Sequence, residues 1–220
     1  MFKKKMYAVV FDTETSGFVK RVGDRLVPPH LVQLAWQRVI LTKGQPMRVL
    51  EKHNYICKPQ GDAHWSMRAQ DVHKISQEHA MRVGVDAGEA LQKFQASVSG
   101  AHVSIAHNVG FDVNIIDSVF MKLRSEKFRW RETYCTALNT KNLVNAMGKR
   151  GIKMPKLVEL YTHLHGAGTD FKFHDAGDDT QCLLDCVEEL FKRNHMAVAH
   201  NVTTSVYFPP PGGVQKPLEK

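Results

Sequence analysis

The apolar run Tyr7–Phe11 ends in Asp12-Thr13-Glu14, two carboxylates one residue apart. Side chains two apart on a strand point the same way, so the pair faces one place. Like charges that close repel unless a cation or a proton lies between them, which makes a divalent metal the economical partner. The same pair also arises where an ordinary strand enters a polar loop, so further ligands must come from elsewhere in the chain. Two later stretches offer them. Asp112 falls in the first turn of a helix predicted from the stripe Ile115, Ile116, Val119, Phe120 and Leu123, a place where the helix dipole alone would also favour a carboxylate. Near the end, His174-Asp175-Ala176-Gly177-Asp178-Asp179 leads into a helix predicted from about Asp178 to Arg193. Helical phase puts Asp179 on the inward stripe of Leu183, Cys186 and Leu190, and Asp178 on the face of Asp185. An inward carboxylate needs a partner, so Asp179 is the candidate ligand and Asp178 the candidate helix cap. Hard oxygen ligands, with no cysteine and no ligand-spaced histidine pair among them, select Mg²⁺ or Mn²⁺ rather than zinc.

The elements that must position these residues follow from the patterning. Tyr7 to Asp12 is a short continuous apolar run, as expected of a central strand covered on both faces. Leu31 to Leu41 and Arg48 to about Cys57 form a second and third strand around the turn Thr42-Lys43-Gly44-Gln45-Pro46. Gly17 to Pro29 is polar and reads as a long loop beside the candidate site. Short helices are expected between Ala63 and Val83, and a longer one capped by Asp86, with Glu89 three residues on, ends at Gly100. Val103 to Ala106 and Tyr134 to Thr136 supply two more strands. Thr136 is expected to cap a helix to Met147, Gly148 to Lys156 to form a basic loop, and Leu157, Leu160, Tyr161 and Leu164 to line another helix. A meander followed by strand–helix alternation predicts an α/β fold, a mixed sheet with helices on both faces.

A chain of 220 residues with 43% apolar content suits one domain with a full core. The Pro/Gly-rich stretch Pro209-Pro210-Pro211-Gly212-Gly213 cannot build a core, so the division expected is a domain over 1–193 and an extension over 194–220, flexible at its end. No run is apolar enough for a membrane span or signal peptide, and a soluble, intracellular protein of cytoplasm or nucleus is expected. Cys57, Cys135, Cys182 and Cys186 show no C-x-x-C spacing, which argues against a disulfide framework or structural zinc. The net charge of +8 is concentrated: Lys122 to Lys156 holds ten Lys or Arg against Glu126 and Glu132, and the rest of the chain balances. Phe128 and Trp130 interleave with Arg129 and Arg131 there. That is the composition of a phosphate-binding surface with stacking partners, and equally of a solvated basic face over a buried Trp.

Together, Phe11-Asp12-Thr13-Glu14-Thr15-Ser16-Gly17, His107-Asn108-Val109-Gly110-Phe111-Asp112 and His174-x-Ala176-x-x-Asp179 resemble, in order and spacing, the three motifs of the DEDDh exonucleases. That family includes the proofreading subunit of bacterial DNA polymerase III, the TREX nucleases, RNase T and oligoribonuclease. The resemblance implies a ribonuclease H-like fold with a central five-stranded sheet. It also implies two divalent ions held by Asp12, Glu14, Asp112 and Asp179, and His174 as the base that deprotonates water. The activity implied is removal of nucleoside monophosphates from the 3′ end of a single strand. DNA is favoured, since Thr13 between the acids resembles the proofreading branch; an exoribonuclease and a catalytically silent nucleic-acid-binding module are the alternatives. By the same resemblance the backbone around Thr13 to Thr15 and the side chains of Phe18 and Asn108 contact the terminal nucleotide, with His107 and Phe111 serving that pocket or simply packing. Arg129 and Arg131, with their basic segment, follow the strand upstream. Single-stranded nucleic acid is the expected partner and a polymerase or other replication protein a further candidate. The resemblance leaves oligomeric state open.

Overall fold

A computed structural model describes residues 5–22, 25–59, 64–124, 126–166 and 170–196. Five strands form the central sheet: β1 (Lys5–Thr15), β4 (Leu31–Thr42), β5 (Arg48–Ile56), β6 (Val103–Ala106) and β7 (Glu132–Cys135), in the order β5-β4-β1-β6-β7. β1 pairs antiparallel with β4 and β4 with β5, whereas β1, β6 and β7 run parallel. The mixed sheet expected from the patterning is therefore present, with the apolar β1 at its centre. The polar stretch after Gly17 is not a plain loop: it holds a small hairpin of β2 (Lys20–Val22) and β3 (Arg25–Val27).

Two helical layers cover the sheet because β1 and β4 are apolar on both faces. On one side α3 (Ala87–Ser99) and α4 (Val109–Arg124) pack on Val9, Phe11, Leu34 and Trp36. On the other, α7 (Leu157–His165) and α8 (Ala176–Lys192) pack on Ala8, Val10, Val39 and Leu41. Short helices α1 (Met67–His73) and α2 (Gln77–Val83) follow β5, each with a serine cap, Ser66 and Ser76. Asp86 caps α3 as its sequence predicts, accepting from the Glu89 amide. The helix expected from Thr136 to Met147 breaks into α5 (Thr136–Asn139), capped by Cys135, and α6 (Lys141–Val144), which ends at the left-handed Asn145. The basic loop after it contains a two-residue hairpin, β8 (Met147–Gly148) and β9 (Gly151–Ile152).

All four cysteines are free and buried, the packing role expected of them. Met196 is buried among the α7/α8 residues, so the folded chain runs slightly past position 193; the extension over 197–220 lies outside the described residues. Among the described residues no helix is long and apolar enough to cross a membrane.

Candidate active site

The parallel strands deliver the site at their carboxyl ends. Asp12 and Glu14 lie on the sheet face that α8 covers, opposite Ala35 and Gln33 of β4. Thr13 points to the other face, where α4 begins after β6. There its hydroxyl donates to Asp112 Oδ1 at 2.7 Å and its amide to the same oxygen at 3.1 Å. Asp112 is thus buried, at 2% exposure, and tied to the residue between the two other carboxylates. Burial pushes it up to about 7, the Thr13 hydrogen bonds opposing. Asp12 is raised well above the usual carboxylate range, first by burial and then by the charges of Asp112, Asp179 and Glu14.

The fourth carboxylate comes from the first turn of α8. Asp179 is 8% exposed, and burial raises it to about 6 against the hydrogen bond it accepts from the His174 amide. That bond, 3.0 Å to Oδ2, closes a turn in which His174 takes a left-handed backbone with φ of 71°. Such a conformation costs a non-glycine residue roughly 1–2 kcal/mol. It brings the exposed His174 ring within 4.8 Å of ligating oxygens of both Glu14 and Asp179. The other oxygen of Asp179, Oδ1, is buried with no hydrogen-bond partner. A buried charged oxygen left without a donor costs several kcal/mol. An orphaned oxygen, two further raised carboxylates and a half-buried Glu14 are together the donor set a hard divalent cation satisfies, and the residues fit the metal that the motifs imply.

Residues 9–187 match the sequence profile of the RNase T exonuclease family. The chain belongs to this exonuclease family. Comparison with curated protein sequences gives no match. Among solved structures, Escherichia coli exonuclease I in complex with a dA16 oligonucleotide is similar at a TM-score of 0.62 and 14% identity, over 84% of this chain and 40% of that one. The zinc-ion-bound form of the same enzyme with single-stranded DNA gives 0.63 and 13%, over 86% and 41%. A moderately thermophilic exonuclease I from Methylocaldum szegediense gives 0.61 and 16%, over 86% and 41%. This chain spans about two fifths of each of them, and the likeness establishes the ribonuclease H-like fold.

The fold gathers Asp12, Glu14, Asp112, Asp179 and His174 in one place. Of the residues expected at the terminal nucleotide, Phe18 stands 62% exposed beside Gly17, at the rim. Asn108 is also exposed, in a left-handed turn with φ of 71° just after β6. Thr15 is buried, its hydroxyl donating to the Gly17 carbonyl, which commits the hydroxyl proton within the chain. Phe111 packs partly buried against the α3/α4 core. His107 packs as well: Nδ1 meets the Thr136 hydroxyl at 2.9 Å and Nε2 the Pro155 carbonyl at 2.8 Å, which pins the arm over 140–156 to the carboxyl end of β6.

The basic segment divides. Phe128 and Trp130 are not exposed stacking partners. They pack on each other and on Phe11 and Phe94 with ring centroids 4.5–5.9 Å apart, and Trp130 Nε1 donates to Asp117 at 2.7 Å. Sequence composition could not separate the two readings because a buried aromatic strand entry and an exposed stacking platform alternate identically with cations. Arg129 and Arg131 lie where β7 begins, some five residues below Asp12 in strand register, roughly 16 Å at about 3.3 Å per residue. The structure does not bring them to the carboxylates. Arg131 instead donates to the Ala101 carbonyl. The cations beyond Thr140, among them the exposed Lys149, Arg150 and Lys156, belong to the arm rooted beside the site by His107.

Helix phase selected the inward carboxylate correctly but misplaced the cap. Asp175, not Asp178, caps α8, its Oδ1 accepting from the amides of Gly177 and Asp178. Sequence reading also passed over Gln33. A glutamine in the apolar first half of β4, opposite Glu14, was the available signal.

Proposed function

We propose that the chain is a metal-dependent 3′-to-5′ exonuclease that releases nucleoside monophosphates from single-stranded DNA. The observation that carries this reading is the buried, partnerless Asp179 Oδ1 among carboxylates that raise one another, with an imidazole within ligand distance. Asp12, Glu14, Asp112 and Asp179 would hold two Mg²⁺ or Mn²⁺ ions. Such ions supply charge neutralisation at the scissile phosphate and stabilise attacking and leaving oxygens.

The chain's own residues do the rest. The exposed His174 ring accepts the proton of the attacking water, a task suited to an imidazole that ordinarily titrates near neutrality. Thr13 fixes Asp112 through its hydroxyl and amide. The exposed Phe18 is the aromatic ring on which the terminal base stacks, and the exposed Asn108 supplies a polar contact to it. The upstream phosphates run over the arm that carries Lys149, Arg150 and Lys156. Single-stranded DNA is favoured because the exonuclease I structures similar to this chain hold DNA oligonucleotides. A polymerase or other replication protein is the further partner that the proofreading resemblance suggests.

The test is direct. DNA and RNA oligonucleotides of one sequence, labelled at the 5′ end and incubated with Mg²⁺, should give a ladder of shortening products, faster for DNA. Asp12→Ala should abolish it. No shortening of either substrate by the wild type, or equal shortening by Asp12→Ala, would overturn the reading.

A further inference from the structure

We infer that Gln33 is a positioning residue for this reaction: it anchors the first turn of α8, and with it His174 and Asp179, to the sheet. The inference rests on the reading that those two side chains act together at a metal. Gln33 is 2% exposed and sits opposite Glu14 in the β1–β4 register. Its amide nitrogen donates to Asp175 Oδ2 and to Asn54 Oδ1, each at 3.0 Å, which uses both hydrogens. Its oxygen accepts from the Ala176 amide at 3.1 Å. One side chain therefore grips both the cap residue and the first helical residue of α8 and ties them to β5 through Asn54. Gly177 completes the joint: a Cβ there would lie 2.4 Å from Asn54 Nδ2, so a larger residue would displace the Asn54 side chain to which Gln33 donates.

The consequences reach the site through bonds already described. Asp175 holds the amides of Gly177 and Asp178 with Oδ1 while Gln33 holds Oδ2. Both of its oxygens are thus engaged away from the carboxylate cluster, although its charge is close enough to raise Asp12 and Asp179. Gln33 thereby keeps a fifth carboxylate from competing for the cation. It also fixes the turn that holds His174 left-handed against Asp179. A buried amide whose two hydrogens and oxygen are all engaged has little orientational freedom. Outer residues that orient ligands in this way commonly change metal affinity or activity by about 10- to 100-fold when replaced.

The experiment compares Gln33→Met, Gln33→Glu, Asp175→Asn and the double variant Gln33→Glu/Asp175→Asn. Mn²⁺ binding is followed by titration calorimetry and electron paramagnetic resonance, single-turnover cleavage with a 5′-labelled oligonucleotide, and folding by circular dichroism melts. Gln33→Glu sets a carboxylate against Asp175 and should weaken Mn²⁺ binding and slow cleavage by about 10- to 100-fold, with KM for the oligonucleotide unchanged. Gln33→Met should do so to a lesser extent. In the double variant the new carboxylate on β4 accepts from the new side-chain amide at the helix cap, from the Ala176 amide and from an Asn54 amide turned over to donate, while the oxygen of the cap side chain still caps α8. Mn²⁺ affinity and cleavage rate should therefore return. Wild-type Mn²⁺ affinity and rate in folded Gln33→Glu would overturn the inference. So would a double variant that melts like the wild type without recovering either. Because Mn²⁺ binding is read apart from cleavage, the result stands or falls separately from the nuclease assignment.

Discussion

Asp112→Asn should stabilise the metal-free protein, and the gain should depend on pH. The Asp112 carboxyl is pushed from its ordinary 3.8 to about 7. Between those values the folded state binds the proton and the unfolded state does not, so stability falls as pH rises from about 4 to about 7 and stays flat above. The pKa difference of about three, at about 1.4 kcal/mol each, puts the full penalty near 4 kcal/mol at pH 8, and roughly 1.5 kcal/mol at pH 5. Neighbouring carboxylates share this penalty, so replacing Asp112 recovers about 2–4 kcal/mol at pH 8. An asparagine oxygen can still accept from the Thr13 amide and hydroxyl, so neither Thr13 donor is orphaned, and the new side-chain amide adds donors beside carboxylates that repel one another. At about 2–4 °C per kcal/mol for a domain of this size, the melting temperature in EDTA should rise by at least about 4 °C at pH 8 and by clearly less at pH 5. Mg²⁺ should raise the wild-type melting temperature at pH 8 and leave Asp112→Asn nearly unmoved. A variant that melts lower than wild type by the same margin at both pH values would refute the reasoning. The protein itself would then compensate the carboxylates, and the cluster would not be built around a cation.

His174→Ala should slow single-turnover cleavage by about 10²- to 10⁴-fold while Mn²⁺ binding, read by calorimetry, survives; loss of binding instead would make the imidazole a ligand. Binding of a single strand should weaken with salt at a log–log slope near −3 if about four phosphates are contacted, measured by fluorescence anisotropy. Replacing Lys149 and Arg150 with alanine should flatten that slope by about 0.7 for each phosphate no longer neutralised. Replacing Arg129 and Arg131, at the far end of the parallel strands, should leave it alone. Trp130→Ala should destabilise the fold by roughly 3–5 kcal/mol in chemical denaturation without altering the salt slope.

What was legible in the sequence was whatever one element determines. The apolar run of β1 identified the central strand, its period of two put Asp12 and Glu14 on one face, and the helical phase of α8 chose Asp179 over Asp178. Asp112 was legible because a carboxylate in a first turn directly after a strand has few other places to be. What could not be read depends on a second element supplying the context. Trp130 belongs to the core only because Phe11, Phe94 and Asp117 surround it. Asp175 took the cap from Asp178 because Gln33, 142 positions away, holds its other oxygen. The α5/α6 break falls at Thr140, whose hydroxyl donates to the Thr136 carbonyl, and α6 ends at the left-handed Asn145, neither of which leaves a periodic trace.

The same distinction explains how the site is built. Its four carboxylates come from three elements, and the two that lie outside β1 are held by neighbours: Asp112 by Thr13 and Asp179 by the His174 amide, with the turn before Asp179 held in its place by Gln33. None of these holders neutralises the cluster: Thr13 donates to one oxygen of Asp112, the His174 amide to one oxygen of Asp179, and Gln33 to none of the four. Protein donors that satisfied every oxygen would lower the carboxyl groups into their usual range and leave nothing for a cation to offset. Instead Asp12, Asp112 and Asp179 all remain raised. The fold therefore keeps the ligands rigid and under-compensated at once, so that binding a divalent ion relieves repulsion that folding stored rather than having to organise the site anew.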